Sequence, residues 1–324
     1  MVLPARLRAA ARFLPTLLGL VLLCGAVYVV QREFRHLKWE ETKHALWSIP
    51  PAAIAFSFAW TVLSYWILTF YDWLATIYAA RKLTYGQAAY GSFLAYTLSH
   101  NLGMAALSGG AVRYRLYSQW GMTGVEIAKT IAFCSFTFAL GGLTLGSFVL
   151  LWLPSEIVPF FGPHVPGWAL KATGAALGAL VVGYITLARV LPPFSLFGHP
   201  VALPGFRMAL AQVALATVDV AVAATIFYAL LPDTSGLDWI VFLAVYLGAY
   251  TGGMAANLPG GIGVLENAMH IGLRTYVPAA DVVGAIVVFR LFYYLIPLFF
   301  AGLAFSGGEV WDRIKALLRA LGRR

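Results

Sequence analysis

Charge is what this sequence is short of. Asp, Glu, Lys and Arg make up 11 per cent of its 324 residues, and only 13 residues are acidic. A soluble domain carries about 25 per cent charged residues, and fewer cannot cover a surface in water. With 61 per cent of residues hydrophobic, lipid must cover most of the molecule, which excludes a sizeable soluble domain. Cysteine is also scarce. Cys24 and Cys134 both fall in apolar stretches, so neither a disulfide framework nor a thiolate metal cluster is expected. No nucleotide-binding motif appears, and no cofactor or metal is expected.

Long apolar runs are abundant instead. A helix needs about 20 mostly apolar residues to cross a bilayer core. Candidate spans are 13–30, 52–75, 84–101, 125–152, 168–191, 206–231, 238–253 and 281–306. Segments 104–120 and 262–276 are too short or too polar to count as full spans. Arg6, Arg8 and Arg12 before 13–30 resemble a signal peptide. The apolar run is longer than a signal core, however, and no clear cleavage site follows, so it is read as a retained first span. The expected fold is all-α: a polytopic membrane domain over 1–308 and a basic amphipathic tail over 309–324. In that tail Ile314, Leu317, Leu318 and Leu321 share one face.

The net charge of +9 reflects basic loops and termini rather than a nucleic-acid surface. Residues 154–166 and 232–238 contain no Lys or Arg, which places them outside. Arg81, Lys82, Arg189, Arg207 and the tail belong to the cytoplasm, as do both termini. The loop 31–50, with Arg32, Arg35, Lys38 and Lys43, runs against that assignment. On this topology the chain leaves the cytoplasm after Arg81 and must be back there by Thr123. Likewise 238 and 281 both lie outside. Each excursion therefore holds two spans, or one span and a folded-back hairpin.

The two excursions share a pattern. Ala95-Tyr96-Thr97 with Leu107-Ser108-Gly109-Gly110 parallels Ala249-Tyr250-Thr251 with Leu258-Pro259-Gly260-Gly261. Three spans separate them, and an odd number reverses orientation. Inverted repeats with Gly- or Pro-broken segments at matching positions point to a transporter's substrate site.

The first motif carries Arg113 and Arg115. A helix restarting after Ser108-Gly109-Gly110 would offer free N–H groups to an anion, and arginine holds phosphate bidentately. Residues two apart on a helix point about 200° from each other. One arginine is therefore expected in a pocket and the other snorkelling at the interface. The second motif carries Glu266, which either stabilises a helix start or pairs with an amine headgroup, a proton or Arg290. Glu266 and His270 lack the second histidine of a zinc protease helix. Asp72, Asp219 and Arg290 lie inside spans, where each costs about 2.5–3.5 kcal/mol. Asp72 and Arg290 are read as functional or paired, and Asp219 as structural. Thr123 with Glu126, and Thr84 with Gln87, read as capping boxes.

SHNLG, SGGAVRYRLYSQWG with the segment after it, and NLPGGIGVLE resemble the lysylphosphatidylglycerol synthase transmembrane region, a flippase-like membrane family. The resemblance covers nearly the whole chain. It implies a bacterial inner-membrane protein that moves lipids between leaflets, with roles for Arg113, Arg115 and Glu266; Asp72 and Arg290 match the family's embedded polar positions more weakly. Bifunctional members continue into an aminoacyl-transferase domain, whereas this sequence stops at Arg324, so transfer chemistry is not expected in it. The leading expectation is a lipid translocase and not an enzyme, with Ser108, Gly109, Gly110, Arg113, Arg115, Gly260, Gly261, Glu266, Arg290 and Asp72 binding substrate. Its partners would be anionic, aminoacylated or other polar membrane lipids. A homo-oligomer or a lipid-modifying enzyme is a further possible partner. A non-transporting scaffold and an intramembrane headgroup transferase are the alternatives.

Overall fold

The computed structural model describes residues 43, 46–79, 83–103, 105–153, 165–192, 194–196, 199–232, 236–255 and 263–305. Calls on 13–30, the tail, 154–164, Arg81, Lys82 and Gly260-Gly261 lie outside them. The described chain is helical: α1 (Pro51–Tyr78), α2 (Tyr85–Leu102), α3 (Ala105–Gln119), α4 (Gly124–Trp152), α5 (Gly167–Val190), α6 (Phe206–Tyr228), α7 (Trp239–Ala255), α8 (Val264–Leu273) and α9 (Ala279–Arg290). After α9 the chain widens into a π turn over Leu291–Leu295 and returns to α-helix through Phe305. Between α5 and α6, Phe194–Leu196 and His199–Val201 form a two-stranded antiparallel ribbon. This small addition to the all-α expectation has no apolar periodicity to announce it.

Five helices among the described residues are long and apolar enough to cross a membrane: α1, α4, α5, α6 and the run Ala279–Phe305. They match five of the expected spans. The remaining two described candidates, 84–101 and 238–253, became α2 and α7, of 18 and 17 residues. Each is followed by a break and a second helix that packs on it, α3 on α2 and α8 on α7. The breaks use glycine. Gly103 has φ 69° and Gly263 φ 84°, a region costly for residues with a Cβ.

Both expected capping boxes form. The Thr84 and Thr123 hydroxyls accept from the N–H groups of Gln87 and Glu126, whose side chains reach back to the cap N–H groups. Helix α1 packs on α2, α4 and α6, and α4 packs on α5 and α6. Membrane helices gain little from burying apolar surface that lipid already covers, so close approach and buried polar contacts hold them together. At Gly141 of α4 a Cβ would sit 2.5 Å from the Ala216 carbonyl oxygen of α6, so only glycine allows that approach. Ser57 Oγ donates to the Ile226 carbonyl at 3.0 Å, tying α1 to α6. Gln212 Nε2 donates to Thr137 Oγ1 at 2.6 Å, tying α6 to α4.

Candidate functional site

Among the described residues Asp72 and Asp219 are buried and Glu266 is partly buried, each in a different environment. Asp72, in the C-terminal half of α1, is fully buried. Arg113 of α3 forks onto it, Nε to Oδ1 and Nη2 to Oδ2, both at 2.7 Å. The Tyr117 hydroxyl, one turn beyond Arg113, also donates to Asp72 Oδ1. Arg113 is 4 % exposed, and its guanidinium carbon lies 4.8 Å from the Tyr96 ring centre. A buried charge pair is tolerated only when its remaining donors and acceptors are met. Here a bidentate fork, a phenol and an aromatic face supply that.

Glycine makes room for this cluster. A Cβ on Gly91 would lie 2.4 Å from the Tyr117 ring, and one on Gly109 would lie 2.3 Å from Ser99 Oγ and 3.1 Å from Arg113 Nη1. Gly109 therefore serves the approach of α3 to α2 beside Arg113. This corrects the expectation of a helix starting after Gly110. Helix α3 begins at Ala105 and runs through Gly109 and Gly110, so their N–H groups do not form a helix-start anion site. The chain breaks at Gly103 instead, and Ser108 Oγ donates to the Gly103 carbonyl at 2.8 Å. Arg115, two residues after Arg113, lies on another face, with its guanidinium carbon 5.0 Å from the Phe305 ring centre. The two arginines diverge as the helical period requires.

Glu266 performs two tasks with its two oxygens. Oε2 accepts from the Gly263 N–H at 2.6 Å, closing the first turn of α8. Oε1 accepts from Arg290 Nη2, the last residue of α9. The helix-start reading and the Arg290-pairing reading thus describe one geometry. The pair sits beside the π turn, a form rare in proteins and frequent at functional sites. That wide turn leaves carbonyls to be satisfied by side chains: Tyr65 Oη donates to Tyr293 O at 2.9 Å and Asn101 Nδ2 to Tyr294 O at 3.1 Å.

The interior also holds a cavity lined by Leu68, Tyr96, His100, Phe138, Asp219, Val220, Ala223, Tyr246, Tyr250 and Tyr293. It is small, with room for about one or two waters. Tyr96 and Tyr250, the central residues of the repeated Ala-Tyr-Thr triplets, both line it. The first limbs of the two helix–break–helix units, α2 and α7, therefore face one another across it. His100 stacks on Tyr293 at 5.1 Å. Sequence reasoning missed this chamber and, while allowing Asp72 a buried arginine partner, did not name Arg113. The only signal of the chamber was the repeated triplet, whose tyrosine gives no direction by itself.

Comparison with known proteins agrees with this architecture. The sequence profile of the family described as "lysylphosphatidylglycerol synthase TM region" matches residues 16–301. The chain is 32 % identical over 297 residues to the uncharacterized protein slr0712 of Synechocystis sp., covering 91 % of this chain and 92 % of that one. It is 28 % identical over 272 residues to inner membrane protein YbhN of Escherichia coli, covering 82 % and 83 % of the two. A helical domain with five candidate spans, matched from residue 16 to 301, makes this chain a multi-pass membrane protein belonging to the lysylphosphatidylglycerol synthase transmembrane region family.

Proposed function

We propose that the protein is a lipid translocase, not an enzyme, moving a phospholipid or related charged lipid between the leaflets of a bacterial inner membrane. One observation carries the reading: two helix–break–helix units each have a positive-φ glycine beside the second limb, Gly103 and Gly263, and their first limbs line one interior aromatic chamber. The three apolar helices α4, α5 and α6 lie between the units in sequence. If each crosses the bilayer, the units enter from opposite sides as an inverted pair of re-entrant hairpins. With 13–30 as a further span, that gives six full crossings and cytoplasmic termini, and α2 and α7, the other two of the eight expected spans, become the first limbs of the hairpins. The family's name, which refers to a lipid synthase, supports lipid as the substrate class.

In this conformation the chamber is too small for a headgroup, and both arginines are engaged by carboxylates. A charged headgroup crosses lipid slowly because losing water is costly unless partners replace it. The proposal is partner exchange: lipid phosphate takes the place of Asp72 at Arg113, or of Glu266 at Arg290, as the chamber opens to one leaflet. Any cationic part of the headgroup meets the released carboxylate. Ser108, Gly109, Gly110 and Arg115 then shape and anchor α3 rather than bind the lipid. Lipids extracted from protein purified in mild detergent should be enriched several-fold in one charged class relative to the source membrane. Glu266→Gln should lose that enrichment. A co-purified set matching the bulk membrane would count against the reading.

A further inference from the structure

Asp219 lies at the middle of α6, the candidate span Phe206–Tyr228, and is 3 % exposed. Unlike Asp72 and Glu266, it pairs with no Arg, Lys or His among the described residues. Its contacts are hydroxyls: Tyr71 Oη donates to Oδ2 at 3.0 Å and Ser64 Oγ to Oδ1 at a long 3.4 Å. Ser64 Oγ also lies 3.3 Å from Tyr293 Oη, where either atom can donate. An ionised carboxylate buried at membrane depth without a cation is among the most costly arrangements in a protein.

We propose that Asp219 is a proton-binding site that loads and unloads through water in the aromatic chamber. On loading, a hydronium ion in the chamber gives its proton to an Asp219 oxygen, and neutral water remains; unloading is the reverse. The surrounding hydroxyls serve both states. Ionised Asp219 accepts from Tyr71 and Ser64. Neutral Asp219 donates to Ser64 Oγ, whose hydrogen turns to Tyr293 Oη, since a hydroxyl both donates and accepts. The chamber supplies a place for the water, and Tyr96, which lines it, keeps a buried hydroxyl without a hydrogen bond. The titratable groups around Asp219 are Tyr65 and Tyr71 of α1, Tyr96 and His100 of α2, Tyr246 and Tyr250 of α7, and Tyr293 of the π turn. The wall from α4 contributes Phe138, which does not titrate. Of these groups only His100 shares the pH range of a carboxyl, so its ring must be distinguished from Asp219 by the readout.

Tyr293 lies three residues beyond Arg290 in the same helical run. A proton at Asp219 therefore changes the hydrogen bonding of the π turn that follows Arg290 of the Glu266–Arg290 pair. If lipid moves, this proton is the ion that can be coupled to it. Proton binding itself does not depend on that reading.

The test is pH-difference infrared spectroscopy of the full protein in lipid nanodiscs, which separates carboxylic acid from carboxylate and from histidine. In wild type and Glu266→Gln, an acid C=O band should grow as pH falls from about 9 to about 5. The band should be missing in Asp219→Asn. Tyr71→Phe removes a donor to the ionised form, so it should move the midpoint up by about one pH unit. That variant serves even if Asp219→Asn does not fold. A band constant across the range, one that survives in Asp219→Asn, or one set by sodium concentration at fixed pH overturns the proposal.

Discussion

Arg113→Ala is expected to lose about 3–5 kcal/mol of folding stability, because it leaves Asp72 charged and buried without its partner. Asp72→Ala should lose a similar amount, since it strands the guanidinium between α1 and α3. The informative variant removes the whole cluster. Asp72→Leu, Arg113→Met and Tyr117→Phe together replace charges and phenol with apolar groups of comparable shape. Buried ion pairs replaced in this way are often neutral or stabilising, so the triple variant should return to within about 2 kcal/mol of wild type. Cys134, 3 % exposed on α4, reports unfolding through its reaction with a thiol dye on heating, in a background with Cys24 replaced by serine. If the triple variant is stable but moves no lipid, the pair is needed for function. Should it move lipid like wild type, Asp72 and Arg113 are only a structural clamp.

Glu266 gives the second large effect, and here two substitutions separate its two tasks. Glutamine keeps an oxygen for the Gly263 N–H but removes the charge that faces Arg290. Alanine removes both. Losing the cap costs about 1 kcal/mol, so Glu266→Ala should melt measurably earlier than Glu266→Gln, which keeps it. Charged hydrogen bonds contribute about 1.5–3 kcal/mol, which is roughly a 10–100-fold change in rate when the lost interaction is one the transition state uses. Both variants should therefore lower lipid movement by at least about tenfold. A Glu266→Gln protein with full activity would remove Glu266 from the mechanism and leave it as a helix cap.

Short-range features of the fold were legible in the sequence because they depend on neighbours. The Thr84–Gln87 and Thr123–Glu126 boxes need only three residues of local chain. The divergence of Arg113 and Arg115 follows from the helical period alone. Five spans followed from length and apolarity, and the glycine-marked units from charge bias. Partner choice was not legible. The partner of Asp72 is Arg113, 41 residues away, and that choice is made by how α3 packs on α2, which itself packs on α1. The Gly109-Gly110 pair looked like the break because two glycines weaken a helix. The break falls at Gly103, where φ is positive, while Gly109 is small for the sake of Ser99 and Arg113. The chamber beside Asp219 was not legible, because tyrosines from α2, α7 and the π turn meet only in three dimensions.

Lipid movement between leaflets is read out by leaflet-resolved headgroup accessibility in proteoliposomes. Wild type would be reconstituted with anionic, aminoacylated and polyprenyl-linked lipids in turn, with and without a proton gradient. Exchange of headgroups between leaflets should run well above that of empty vesicles for at least one class, and the Glu266→Gln vesicles should fall back toward the empty rate. Wild-type vesicles that move none of these lipids faster than empty ones, under either condition, would contradict the account.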